Sequence, residues 1–196
     1  MNTVGLPQNY RLLREVNLQQ DKKTAVCLNL AALAVALAVF FAGIVFHPLQ
    51  LSVMIGGAEN ILPFFYKPIA LFAGLILYMI LHELIHGVFM KYYSGVKPKY
   101  GFTGLYAYAG SETAYFDRKS YTIIALAPIV ILGIVLLALE LLLPGWFWVV
   151  HIIQAQNIGG AAGDIYVTFL IFRMPQDTLV NDTGVSMRFY SADGPQ

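Results

Sequence analysis

The sequence predicts an all-α integral membrane protein: four transmembrane helices, with a short β-hairpin between the second and third. Composition is the first reason. Of 196 residues, 58% are hydrophobic and 12% charged, about half the charged share of a soluble domain. Hydropathy is the second: four apolar runs are each long enough to cross a bilayer. Charge placement is the third. Eleven of the twelve Lys and Arg fall in the N-terminal prefix, the segment between spans 2 and 3, and the tail, with Lys67 on the other side. The positive-inside rule then places both termini in the cytoplasm, for a single polytopic domain over 1–196. A net charge of +1 argues against a nucleic-acid partner. One cysteine, Cys27, excludes an internal disulfide and a Cys-rich metal site.

Residues 1–23 are polar, and Leu12, Leu13 and Val16 predict one apolar face of a short helix lying on the membrane. The prefix is too long and mixed for the charged start of a cleaved signal peptide. Span 1 covers about 24–46, roughly 35 Å of helix, and ends at His47-Pro48. The apolar, proline-containing stretch 47–67 is expected to pack on the outer membrane surface. Span 2 covers about 69–93. In the segment Tyr100–Ala109, Tyr100, Phe102, Tyr106 and Tyr108 share a period of two, which predicts a strand. Gly110-Ser111 is a tight turn and 113–116 the returning strand. Span 3 covers about 121–143, with a bend expected at Pro128 and Glu140 at the far interface. Trp146 and Trp148 open span 4, about 146–172, at the interface that such rings favour. The tail is expected to be loose or a small strand pair, turning at Asn181–Gly184.

Within span 2 stands Leu81-His82-Glu83-Leu84-Ile85-His86-Gly87. On a helix, His86 lies roughly 40° round from His82 and one turn along, so both imidazoles reach one ion. Glu83, roughly 60° from His86, addresses water at that ion without ligating it. Ionisable groups are costly in a membrane helix, which argues against coincidence. A catalytic zinc takes three protein ligands and leaves a fourth position open. The candidate third is Asp164, in Gln156-Asn-Ile-Gly-Gly-Ala-Ala-Gly-Asp164 of span 4. Spans 2 and 4 run the same way, and all three residues fall roughly 10 to 16 Å from the inner ends of their helices. On a continuous helix Asn157, Gly160, Ala161 and Asp164 share a stripe, and its small residues predict close approach to span 2. Asn157 is a candidate for binding the substrate backbone or polarising the scissile carbonyl, or else for bridging helices.

On these motifs the chain resembles the site-2 protease family of intramembrane zinc metallopeptidases and, more closely, the small bacterial membrane zincin peptidases. His82-Glu83-x-x-His86 matches the first family motif, and Asn157 followed by Asp164 matches the second. Where the family commonly has Asn-x-x-Pro and then Leu-Asp-Gly, this chain has Gly160, Gly163-Asp164 and Ile165, one residue closer. The resemblance implies zinc, and hydrolysis of a membrane-protein or peptide substrate within or near the lipid bilayer. Glu83 is then the general base for a zinc-activated water. The competing classes are a divalent-metal transporter, which leaves Glu83 unexplained, and a scaffold with a structural zinc, which needs a fourth ligand. The sequence leaves the substrate, the oligomeric state and the choice among divalent metals open.

Overall fold

The computed structural model describes residues 2–48, 62–104 and 106–192. The chain is mostly helical but also carries a five-stranded sheet. In order, its elements are β1 (Thr3–Val4), β2 (Arg11–Val16), α1 (Lys22–Phe46), α2 (Leu62–Ser94), β3 (Lys99–Phe102), β4 (Ala107–Gly110), β5 (Ala114–Asp117) and α3 (Arg118–Leu142). A 3-10 turn (Pro144–Trp146), α4 (Phe147–Gly160), α5 (Ala162–Phe172), β6 (Leu179–Asp182) and β7 (Met187–Ser191) follow. Among the described residues, three helices are long and apolar enough to cross a membrane: Lys22–Phe46, Phe64–Ser94 and Arg118–Leu142. The first is capped by Asp21, whose carboxylate accepts the Thr24 amide at 3.1 Å and the Thr24 hydroxyl at 2.5 Å. Such a cap satisfies donors that the first helical turn leaves free.

The chain divides into two compact units. One comprises Met1–Leu28, Leu81–Pro128 and Gly163–Gln196; the other comprises Asn29–Ile80 and Ile129–Ala162. The first unit holds the sheet, in strand order β1-β5-β6-β7-β2, every pair antiparallel. Its core joins Phe116, Val180 and Phe189 of the sheet to Met90 of α2, Tyr121 and Ile124 of α3, and Val167 and Ile171 of α5. Burying one such side chain contributes about 1.5–3 kcal/mol. In the second unit, Gly159 of α4 meets Ala32 and Ala36 of α1, and a Cβ there would stand 2.6 Å from the Ala32 carbonyl oxygen. Gly74 of α2 likewise leaves room for Ile153 of α4. Small residues permit such approach between apolar helices.

Several expectations are corrected. The prefix is strand, not surface helix: β2 pairs along β7, with a register shift between Leu12 and Arg14. The sheet makes the class mixed rather than all-α. The segment Tyr100–Ala109 is not one strand. Its halves β3 and β4 pair with each other, and beyond the last pair the Thr103 amide donates to the Tyr106 carbonyl at 3.0 Å. The expected returning strand instead pairs with β1 and β6. Span 4 is broken at Ala161, where a run rich in glycine weakens the helix. The stripe from Asn157 to Asp164 presumed an unbroken helix and loses that basis. The seam of small residues also serves α1, through Gly159. Helix α2 begins earlier than expected, at Leu62, with Pro68 inside it; most of the expected outer loop, 49–61, lies outside the described residues. Glu140 lies near the far end of α3, as expected, and has a partner there. It is half-buried against His151, with Oε1 2.9 Å from Nδ1, and His151 Nε2 donates to the Val39 carbonyl at 2.9 Å. A charged group in an apolar bundle finds a partner because desolvating it alone is costly.

Candidate metal centre

The residues singled out by the motif converge within the first unit. His82 and His86 stand one turn apart on α2, both buried. Their Nε2 atoms lie 3.2 Å from each other. Asp164 stands in the first turn of α5. Its Oδ2 lies 3.3 Å from His82 Nε2 and its Oδ1 3.5 Å from His86 Nε2. With one donor atom taken from each residue, the three lie within 4.8 Å of one another. Ligands bonded to one tetrahedral zinc at about 2.0–2.2 Å sit roughly 3.3–3.6 Å apart. The closest approaches match that spacing, and two imidazoles with one carboxylate suit zinc. The group can therefore hold a metal ion. Among the described residues it is the one group of three His, Cys, Asp or Glu side chains so arranged.

The break before α5 has a local consequence. Asp164 sits at the start of a helix, where free amides and the helix dipole favour a carboxylate. The sequence supplies the break through Gly159, Gly160 and Gly163.

Backbone groups hold His86 and Glu83. His86 Nδ1 lies 2.9 Å from the Ile124 carbonyl oxygen of α3. A carbonyl can only accept, so Nδ1 carries a proton, and Nε2 is left facing Asp164. Glu83 is half-buried beside the pair, and its carboxylate accepts a hydrogen bond from the Ala109 amide of β4. The Thr103–Tyr106 turn bond sets the register of that ribbon, so Tyr100 and Ala109 face each other without bonding and turn their amides outward. The Tyr100 hydroxyl lies where a side chain on Gly87 would otherwise stand. Burial and the Glu83 charge push the Tyr100 phenol above its ordinary pKa of 10.0. Behind the cluster, Asp182 of β6 is buried; its Oδ2 accepts the Tyr121 hydroxyl at 2.5 Å and its Oδ1 the Gly184 amide at 2.7 Å. Asn181 donates to the carbonyls of Ser111, Glu112 and Ala114 at 3.0, 3.3 and 3.0 Å, tying β6 to the approach to β5.

The sequence reading missed Ile124, Ala109, Tyr100 as a neighbour of Glu83, and Asp182. Backbone donors and acceptors carry no residue signature, and Asp182 looked like a turn residue. Asn157 lies in the second unit, fully buried, where its Nδ2 donates to the Ile129 carbonyl at 3.1 Å. Gly133 leaves the room for it.

A family described as "Putative zincin peptidase" matches residues 75–179, more than half of the chain. The chain belongs to this family. The match includes both motif histidines, Glu83 and Asp164, and membership in this zincin-peptidase family supports a zinc peptidase. A relative from Pyrococcus woesei, an "uncharacterized 24.7 kDa protein in gap 5'region", is 34% identical over 119 residues. That alignment covers 58% of this chain and 51% of the relative, so the chain spans about half the length of the curated relative it matches. No solved structure matches.

Proposed function

We propose that this zincin-family protein is a site-2-protease-like intramembrane metallopeptidase that hydrolyses peptide bonds of a membrane-associated protein. His82, His86 and Asp164 would hold zinc, and Glu83 would be the general base. The observation that carries the reading is the convergence of two imidazoles and a carboxylate at 3.2–3.5 Å, with Glu83 beside them. Zinc supplies an acidified water and a polarised carbonyl when bound. The chain's own part is proton movement. Glu83 takes the proton of the attacking water and delivers it to the departing nitrogen. The Ala109 amide holds the carboxylate in place between these steps.

The substrate must arrive extended, because a helix hides its carbonyls in hydrogen bonds. The outward edge of β4 offers backbone partners beside Glu83, and a substrate strand added there would expose its bond to the site. In this reading α4 and α5 together make the fourth passage of a bacterial cell membrane, and both termini are cytoplasmic, as the Lys and Arg distribution favours. Asn157 acts as a bridge between α4 and α3, in keeping with its bond to Ile129.

The test compares membrane proteins from cells carrying the wild-type chain and Glu83→Gln. A protein cleaved only in the wild type, and cleaved again by purified enzyme in detergent, is the expected result. Glu83→Gln should lower its cleavage about 10²- to 10⁴-fold while zinc stays bound. Unchanged cleavage in Glu83→Gln overturns the base assignment.

A further inference from the structure

We infer that Pro128 is a positioning residue of the metal centre: by having no N–H, it leaves the Ile124 carbonyl free to hold His86. The inference rests on the zinc-site reading above and extends it to a residue that touches neither metal nor substrate.

In an α-helix the carbonyl of residue i accepts the N–H of residue i+4. Within α3, the Ile124 carbonyl should accept from position 128, which is proline. Proline has no N–H, and its ring crowds the carbonyl four residues earlier. A buried carbonyl without a partner is costly, so it needs another donor. Ile124 is fully buried, and the donor is His86 Nδ1 at 2.9 Å. The exchange is reciprocal. The carbonyl regains a partner, and the imidazole is held with a proton on Nδ1 and with Nε2 toward His82 and Asp164. Free histidine places its proton mainly on the other nitrogen, so this bond selects the ligating tautomer before metal arrives. Any other residue at 128 would bring an N–H that competes for the same carbonyl. All the groups involved lie in the first unit.

Three forms of the full-length protein in detergent test this: wild type, Pro128→Ala, and a chain with lactic acid at position 128. Lactic acid removes the ring but adds no N–H. Zinc affinity is read by competition with a chromophoric chelator, and ligand geometry by the visible bands of the cobalt-substituted protein. Pro128→Ala should bind zinc about 10- to 100-fold more weakly and show a changed cobalt spectrum, while the lactic acid form stays near wild type. Equal affinity in Pro128→Ala and wild type overturns the inference, and so does equal weakening in both altered forms, which would assign the effect to the ring. A measurement on the wild type alone guards against a variant that fails to fold. Nitrogen NMR of the zinc-free protein, with His86 assigned by its loss in His86→Gln, should show a proton on Nδ1; an Nδ1 without a proton overturns the inference. If wild type binds no zinc, or His86→Ala binds it as tightly as wild type, the metal-site reading itself fails and takes the inference with it.

Discussion

At the scale of single residues, Asp182 shows how the chain places a carboxylate it does not use as a ligand. Burial pushes its carboxyl above the ordinary value of 3.8, against the pull of the Tyr121 hydroxyl and the Gly184 amide. The folded state therefore holds the proton more tightly than the unfolded state. The favourable contribution is complete below pH 3.8 and is lost as pH rises through the raised folded value. Asp182→Asn removes that dependence and keeps the contacts. Its Oδ1 accepts Gly184, its amide donates to Tyr121, and the Tyr121 hydroxyl turns to Met187 Sδ at 3.5 Å. The melting temperature of Asp182→Asn should thus rise relative to wild type between pH 4 and neutrality. Relative to Asp182→Asn, Asp182→Ala should cost about 1–3 kcal/mol at any pH, through unmade bonds to buried donors. A constant difference between wild type and Asp182→Asn across that range would refute the sign. Residue-level legibility divides along the same line. His82, Glu83, His86 and Asp164 were readable because ionisable groups in an apolar run stand out. Asp182 was not, since in the polar tail an aspartate beside glycine reads as a turn.

At the scale of elements, the β3–β4 ribbon reaches Glu83 through a contact that depends on an absent side chain. A Cβ at Gly87 would overlap the Tyr100 hydroxyl and stand 2.5 and 2.7 Å from its Cζ and Cε1. Tyr100 is half exposed, so it can swing away, but the ribbon then loses its seat on α2. Gly87→Ala should change stability by less than about 1 kcal/mol, since Tyr100 can move and alanine favours the helix, but it should speed hydrogen exchange at the Ala109 amide, which Glu83 now protects. In a Tyr100→Ala background the same change should add little. Unaltered exchange at Ala109 in Gly87→Ala would show that the ribbon is seated by other contacts. The ribbon also marks the limit of pattern reading. Period two found strand-forming residues from Tyr100 to Tyr108, but register depends on the turn, and the Thr103–Tyr106 bond was not visible in alternation alone. Likewise β2 pairs with β7 from the opposite end of the chain. Leu12, Leu13 and Val16 suited a helix face as well as a strand, and the distant partner decided between them.

At the scale of the whole molecule, the three apolar helices were legible because crossing a bilayer demands length and hydropathy that no local exception disguises. The fourth run was readable as apolar but not as broken, because the cost of its glycines depends on what surrounds them. That break bears on stability as well as on the site. Zinc at His82, His86 and Asp164 would tie α2 to α5, segments far apart in the chain. A ligand that binds the folded chain alone stabilises it by about 2.7 kcal/mol at a hundred times its dissociation constant. For a chain of this size that is roughly 5–10 °C in melting temperature. Chelation should therefore lower the melting temperature by that amount, and added zinc should restore it. Asp164→Ala should remove most of the zinc-dependent increment. It should not fall far below the zinc-free wild type, since the core around Phe116, Ile124 and Val180 does not include Asp164. A wild-type melting temperature indifferent to both chelator and zinc would mean that no ion joins these helices. An increment that survived Asp164→Ala would leave the two histidines holding the ion without it.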